Sequence, residues 1–210
     1  TTIPVDMQGV KKEIALAKRP DYIVPNADGS GYGLFVFDNF DNIPLPTDDL
    51  RRFALAMNMY ENYLAHGIDA KSLSDTMHSW LKAENNALIA SQLVSYWGGA
   101  VSAMPDTDRH FQEQQMWQEY RNATIASVKQ RLIRQLYNTV SNESVTDSLY
   151  NVWADKSDPL LSKTDYTQIA YRLAILKPQQ WQKILQKQRT RLSDADEIRP
   201  VSYTHLRAHE

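Results

Sequence analysis

The chain has 210 residues, 42 % of them hydrophobic, with a formal net charge of −2 and no cysteine. That length allows one large domain, or a medium domain with part of a second. The charge balance argues against a general nucleic-acid binder, which carries a basic excess. The cysteine count excludes a disulfide framework, a thiolate zinc site and a thiol nucleophile, and no run of 18 apolar residues exists to span a membrane.

The opening TTIPVDMQGV has neither a start Met nor a signal-peptide pattern, so the chain reads as one entered in mid-sequence. Up to residue 42 the signals are strand-like: Ile3-Pro4-Val5, Tyr22-Ile23-Val24 and Leu34-Phe35-Val36-Phe37, separated by turn residues. Between the last two lies PNADGSGYG. A phosphate cradle needs a helix after its last glycine, whereas Gly33 leads into an apolar strand pattern. Asn26, Asp28 and Ser30 have calcium-ligand spacing, but the position for the closing bidentate Glu holds Phe37. The stretch is therefore expected to be a tight, glycine-rich strand connection.

After Pro46 the pattern turns helical. Thr47 is placed to cap a helix with the apolar stripe Leu50, Phe53, Met57, Tyr60 and Leu64, and Gly67 to end it. Asp69 caps the next, with Ile68 and Leu73 at staple spacing around it. A third runs from Asn86 to Gly98-Gly99. Residues 107–139 are helix-compatible throughout, as one long helix or two broken at 122–124. Three more follow: one over 143–154, one capped by Ser162 with Asp165 three residues on, and one with Pro178 in its first turn. The predicted fold is mainly α, a set of stacked antiparallel helical hairpins forming a curved α–α superhelix, preceded by a short β-strand remnant. No repeat of fixed period is present.

Candidate chemistry is sparse. His66, His78 and His110 stand alone, without a second ligand at metal spacing. His205 and His209 have the spacing of the zinc-protease helix H-E-x-x-H, but Leu206 replaces its Glu. That pattern also lies in PVSYTHLRAHE, which resembles a translated sequencing adapter, so 200–210 is read as a non-native tail. No G-x-S-x-G elbow exists. The acidic run over 38–49 reads either as paired carboxylates or as a solvated loop and helix N-terminus. Lys129, Arg131, Arg134, Lys183, Lys187, Arg189 and Arg191 read either as phosphate contacts or as polar helix faces. Trp80, Trp97, Trp117, Trp153 and Trp181 fall mostly at core positions.

DYIVPNADGSGYGLFVFD resembles the handover from the last β-strands to the C-terminal helical domain in bacterial zinc aminopeptidases of the aminopeptidase N (gluzincin) family. LRRFALAMNMYENYLAHGI resembles the first helix of that domain, and LLSKTDYTQIAYRLAILKP with QKILQKQRTRLSDADEIR its last helices. The resemblance covers about 20–199 and implies three parts: a strand remnant over 1–42, the helical domain over 43–199, and the tail. It implies a zinc-dependent aminopeptidase as parent. In such an enzyme the helical domain closes over the catalytic cleft and shapes the access of peptides.

The family's zinc helix, downstream Glu ligand, G-x-M-E-N motif and catalytic Tyr have no matching positions here. MYEN at 59–62 lacks the Gly and sits in a helix pattern. No catalytic, cofactor-binding or metal residue is therefore assigned to this chain, zinc belongs to the parent, and the chain alone is expected to be inactive. The implied partners are the upstream catalytic domain and, in the parent, peptide substrates; the compartment stays open. The alternative is a non-catalytic helical scaffold that binds other proteins. Exposed apolar surface over 22–37 separates the two, since a domain deprived of its neighbour shows it and a self-sufficient scaffold does not.

Overall fold

The computed structural model describes residues 3–6, 8–31, 33–36 and 43–192. Five of the eight described helices begin where a short polar side chain takes a free N–H group of the first turn. Asp48 does this for α1 (Asp49–Leu64), accepting from Arg51 N–H at 3.0 Å. The cap is thus one residue beyond Thr47, because the Asp48 carboxylate is the group that accepts the first-turn N–H. Asp69 caps α2 (Ala70–Ala83) and Asn86 caps α3 (Ala87–Ser102). Ile68 and Leu73 are both buried around the α2 cap, as a staple requires.

Residues 103–142 fold back on themselves as α4 (Asp106–Asn122) and α5 (Ala126–Thr139). The break between them uses neither Gly nor Pro. Ala123 is extended, at φ −61° and ψ 126°, and it packs against the core together with Ile125. Then come α6 (Glu143–Asp155), capped by Asn142, and α7 (Lys163–Leu176), whose Ser162 and Asp165 form a reciprocal capping box. The last helix among the described residues, α8 (Trp181–Arg189), starts later than its proline suggested. Gln180 N–H closes a turn onto Lys177 O at 2.8 Å, which leaves Pro178 outside the helix.

The helices stack as hairpins in two layers. α1, α3, α5 and α7 touch in succession, α4 lies against α6, and each hairpin joins the layers through α2 with α3, α4 with α5 and α6 with α7. α8 closes the array against α7. This is the mainly α, hairpin-stacked array that the periodicity predicts. One apolar cluster runs through it from Ile43 to Ile184, centred on Trp97, Leu132, Leu136, Leu149 and Trp153.

Glycine explains why α3 can sit in the middle. The helix continues through Gly98 and Gly99 instead of stopping there. A Cβ on Gly98 would lie 2.5 Å from Gln135 Oε1 of α5, and one on Gly99 2.8 Å from the Tyr60 hydroxyl of α1. The two glycines let both neighbours lie across the α3 backbone.

Among the described residues no strand forms. Residues 3–5, 22–24 and 34–36 are not paired in any ladder, and Phe37 lies outside the described residues. A strand is stable only with a partner, and no second strand is presented to these short segments.

Candidate functional site

The turn over 25–33 is built by its own side chains. Asn26, in the left-handed region at φ +50°, accepts from Gly31 N–H at 2.6 Å and donates to Gly31 O at 3.2 Å. Asp28 accepts from both the N–H and the hydroxyl of Ser30 at 3.1 and 2.8 Å, and these bonds hold its carboxyl below the usual carboxylate range. Gly29 takes φ +69°. The would-be calcium ligands are thus used inside the turn. The turn is fastened to α1 by two buried asparagines: Asn58 donates to Pro25 O at 3.1 Å and Asn62 to Phe35 O at 2.8 Å.

These asparagines show that α1 has been turned relative to the sequence reading. Its buried face is Ala54, Leu55, Ala56, Asn58, Met59 and Asn62. The apolar stripe read from the sequence is split: Leu50, Phe53 and Leu64 are exposed, while Met57 and Tyr60 are half-buried and packed against the core. Tyr60 stacks on Tyr96 of α3 at 4.4 Å between ring centroids. Periodicity finds an apolar face but cannot choose between two, and buried amides look polar until their partners are known.

The histidines play separate parts. His66 takes the left-handed position that closes α1, at φ +62°, one residue before the glycine expected there. His66 N–H donates to Tyr63 O and Gly67 N–H to Asn62 O, a Schellman closure. His78 is buried, stacked on Trp97 at 4.4 Å and bonded to Glu119 at 2.8 Å. His110 is half-buried on α4. No group of three or more His, Asp or Glu able to hold a metal occurs among the described residues, and His205 and His209 lie outside them. Of the acidic run, Asp48 caps α1 and Asp49 bonds Arg52 and Asn86. Asp38 and Asp41 lie outside the described residues.

The buried carboxylates are saturated with donors. Glu113, fully buried on the otherwise polar α4, accepts from Ser141 and Asn142 N–H at 2.7–3.1 Å and so anchors the start of α6. Nothing in the sequence around Glu113 marks it. Glu84 takes two N–H groups of Arg52, at 2.7 and 3.1 Å. Burial pushes the Asp165 carboxyl up, but bonds from Arg134, Ser162 and Tyr137 outweigh it and hold the group at about 2. Burial, and then Asp165 itself, pushes the Tyr137 hydroxyl up to about 12. Each of these groups joins one helix to another.

The basic residues divide. Arg134 forks onto Asp165, Lys129 sits over the Tyr120 ring, and Lys187 and Arg191 donate to Ala154 O at the end of α6. Arg131, Lys183 and Arg189 are exposed. Trp80, Trp97 and Trp153 are buried in the core, while Trp117 and Trp181 are half-buried.

Large apolar side chains are exposed at Leu88 of α3, Phe111 of α4 and Ile175 of α7, and several lie together in sequence at the α1 end of the array. Tyr22, Ile23, Leu34, Val36, Leu50, Phe53 and Leu64 are each 38–68 % exposed, and the turn that separates the first four is the one bolted to α1. At the other end, α8 turns Gln182, Lys183, Gln186, Lys187 and Arg189 to solvent. The outer face of α8 is thus polar, whereas the exposed positions of α1 mix Leu50, Phe53 and Leu64 with Asp49 and Arg51. No helix among the described residues is long and apolar enough to cross a membrane. Comparison with protein-family models, curated proteins and solved structures finds no match for this chain.

Proposed function

We propose that this chain is the C-terminal helical domain of a zinc-dependent aminopeptidase, packed through its α1 end against the catalytic domain that precedes it. The observation that carries this reading is the apolar surface at that end. Exposed Tyr22, Ile23, Leu34 and Val36 lie within the segment DYIVPNADGSGYGLFVFD, whose likeness to the aminopeptidase N family motivates the proposal. A domain that has lost a neighbour leaves such a patch bare, and a free-standing scaffold does not.

In that setting the segments over 22–24 and 34–36 find the strand partners they lack here. The parent's zinc ion would supply an activated water for attack on the first peptide bond. This chain's described residues offer no ligand group to hold it, and its part is to cover the cleft and limit which peptides enter.

The test is long-read sequencing of the genomic locus across both ends of this frame. An in-frame H-E-x-x-H with a second Glu about one helix later, upstream of Thr1, supports the proposal. A start codon just ahead of Thr1 with no zinc helix upstream would overturn it and leave a protein-binding scaffold.

A further inference from the structure

A cleft of about 240 Å³ opens between the α6–α7 connection and the end of α8, and three cations line it: Lys156, Lys163 and Arg191. Arg191 is half-buried. Its guanidinium donates to Trp153 O at 2.8 Å and Ala154 O at 2.7 Å and lies 4.9 Å from the centre of the Trp153 ring. A guanidinium has five N–H donors, so three remain after these two bonds. Among the described residues no carboxylate stands within ion-pair distance of Arg191 or Lys156. Desolvation draws the Arg191 pKa down, and the nearby Tyr166 and Asp155 offset it only in part.

The one acid on the cleft wall is already engaged. Asp158 accepts from the Tyr120 hydroxyl at 2.5 Å and from Leu160 N–H at 2.8 Å. The remaining wall includes Leu161, Leu192 and the body of Tyr166, whose hydroxyl is bonded to Asp158 O. Arg191, with three donors left, and the exposed Lys156 above an apolar floor match a carboxylate carried on a carbon stem, and the planar fork of arginine favours that shape.

We infer that this cleft is a carboxylate-binding site, centred on Arg191 with Lys156 at its rim. A source is close in sequence: Leu192, on the wall, is followed by Ser193-Asp194-Ala195-Asp196-Glu197. A separate acidic peptide presents the same chemistry.

The test uses the full chain, labelled with ¹⁵N, and a D194N/D196N/E197Q variant. Each is titrated with sodium acetate at pH 7 against sodium chloride of equal ionic strength. The Trp153 indole N–H, bonded to Gln188 Oε1 at 3.0 Å beneath Arg191, and the Arg191 Nε–H report on the cleft. Saturable shifts in the variant with a silent parent chain mean that the chain's own acidic run fills the site. Saturable shifts in both mean that the site is open to an outside carboxylate. In either case Lys156→Gln, introduced into the responsive chain, is expected to weaken acetate binding about fivefold, the upper size of an exposed ion pair. No shift beyond chloride in either chain, or binding that Lys156→Gln leaves unchanged, overturns the inference.

Discussion

The two ends of the helical array solve the same problem in opposite ways. At the α8 end the last apolar residues, Ile184 and Leu185, are turned inward and Trp153 is covered by Gln188, Lys187 and Arg191. Polar side chains then face the solvent. At the α1 end the inward positions are filled partly by small residues and amides, Ala54, Ala56, Asn58 and Asn62, while Leu50, Phe53 and Leu64 face outward. Leu55 and Met59 are buried and Met57 and Tyr60 pack against the core, so the unfavourable surface in isolation is that of Leu50, Phe53 and Leu64. The difference sets α8, whose outer face is polar, against α1, which keeps three large apolar side chains in solvent.

The largest expected effect is at the α8 end. Trp153→Ala removes a side chain only 1 % exposed, together with its bond to Gln188 and the stacked Arg191. A loss of about 3–5 kcal/mol in denaturant unfolding is expected; a loss under about 1 kcal/mol would mean that this end is not sealed by its core.

Acid titration probes the same half of the molecule. The Asp165 carboxyl sits at about 2 when folded against 3.8 for the free group, so the unfolded chain binds its proton first. The stabilisation, about 2 kcal/mol, is therefore fully present above about pH 4 and disappears as the pH falls through about 2. Unfolding measured from pH 5 to pH 2 should show this slope, and Asp165→Asn should flatten it.

A matched pair of substitutions compares the ends directly. His66 closes α1 and Lys156 closes α6, both in the left-handed region at φ +62° and +49°. Each non-glycine residue there costs about 1 kcal/mol, so His66→Gly and Lys156→Gly should each raise the unfolding free energy by about that amount. A gain at one position only would show that the other side chain makes a compensating contact.

The smallest effect on stability belongs to the outward stripe. Leu50→Gln with Leu64→Gln should change unfolding by no more than about 0.5 kcal/mol per site, while reducing self-association in sedimentation at high concentration. A destabilisation of several kcal/mol would mean that these leucines are core residues, and the contrast between the ends would fail.

Much of the fold was legible because helix starts are local. Asp69, Asn86 and the Ser162–Asp165 box act within four residues, so their types and spacing announce them. The misreadings share a cause. Gly98-Gly99 looked like a stop because glycine is a poor helix former, whereas it is a passage for Gln135 and Tyr60 from other helices. Pro178 looked like a first-turn residue, but the preceding Lys177–Gln180 turn delays α8. The acceptor role of Glu113 had no local signal, since its partners are 28 and 29 residues away.

The sequence by itself determined a mainly α-helical chain, the caps at Asp69 and Ser162, and a tight turn after Val24, while its expected strand remnant does not form among the described residues. The caps and the turn follow from contacts within one turn of backbone. Only the tertiary structure decided which face of α1 is buried, where 107–139 breaks, and which carboxylates are sealed inside. Each of those depends on a partner distant in the chain: Pro25 and Phe35 for the α1 asparagines, α5 for the turn of α4, and Ser141 and Asn142 for Glu113. Burial belongs to pairs of elements, and periodicity describes one element at a time.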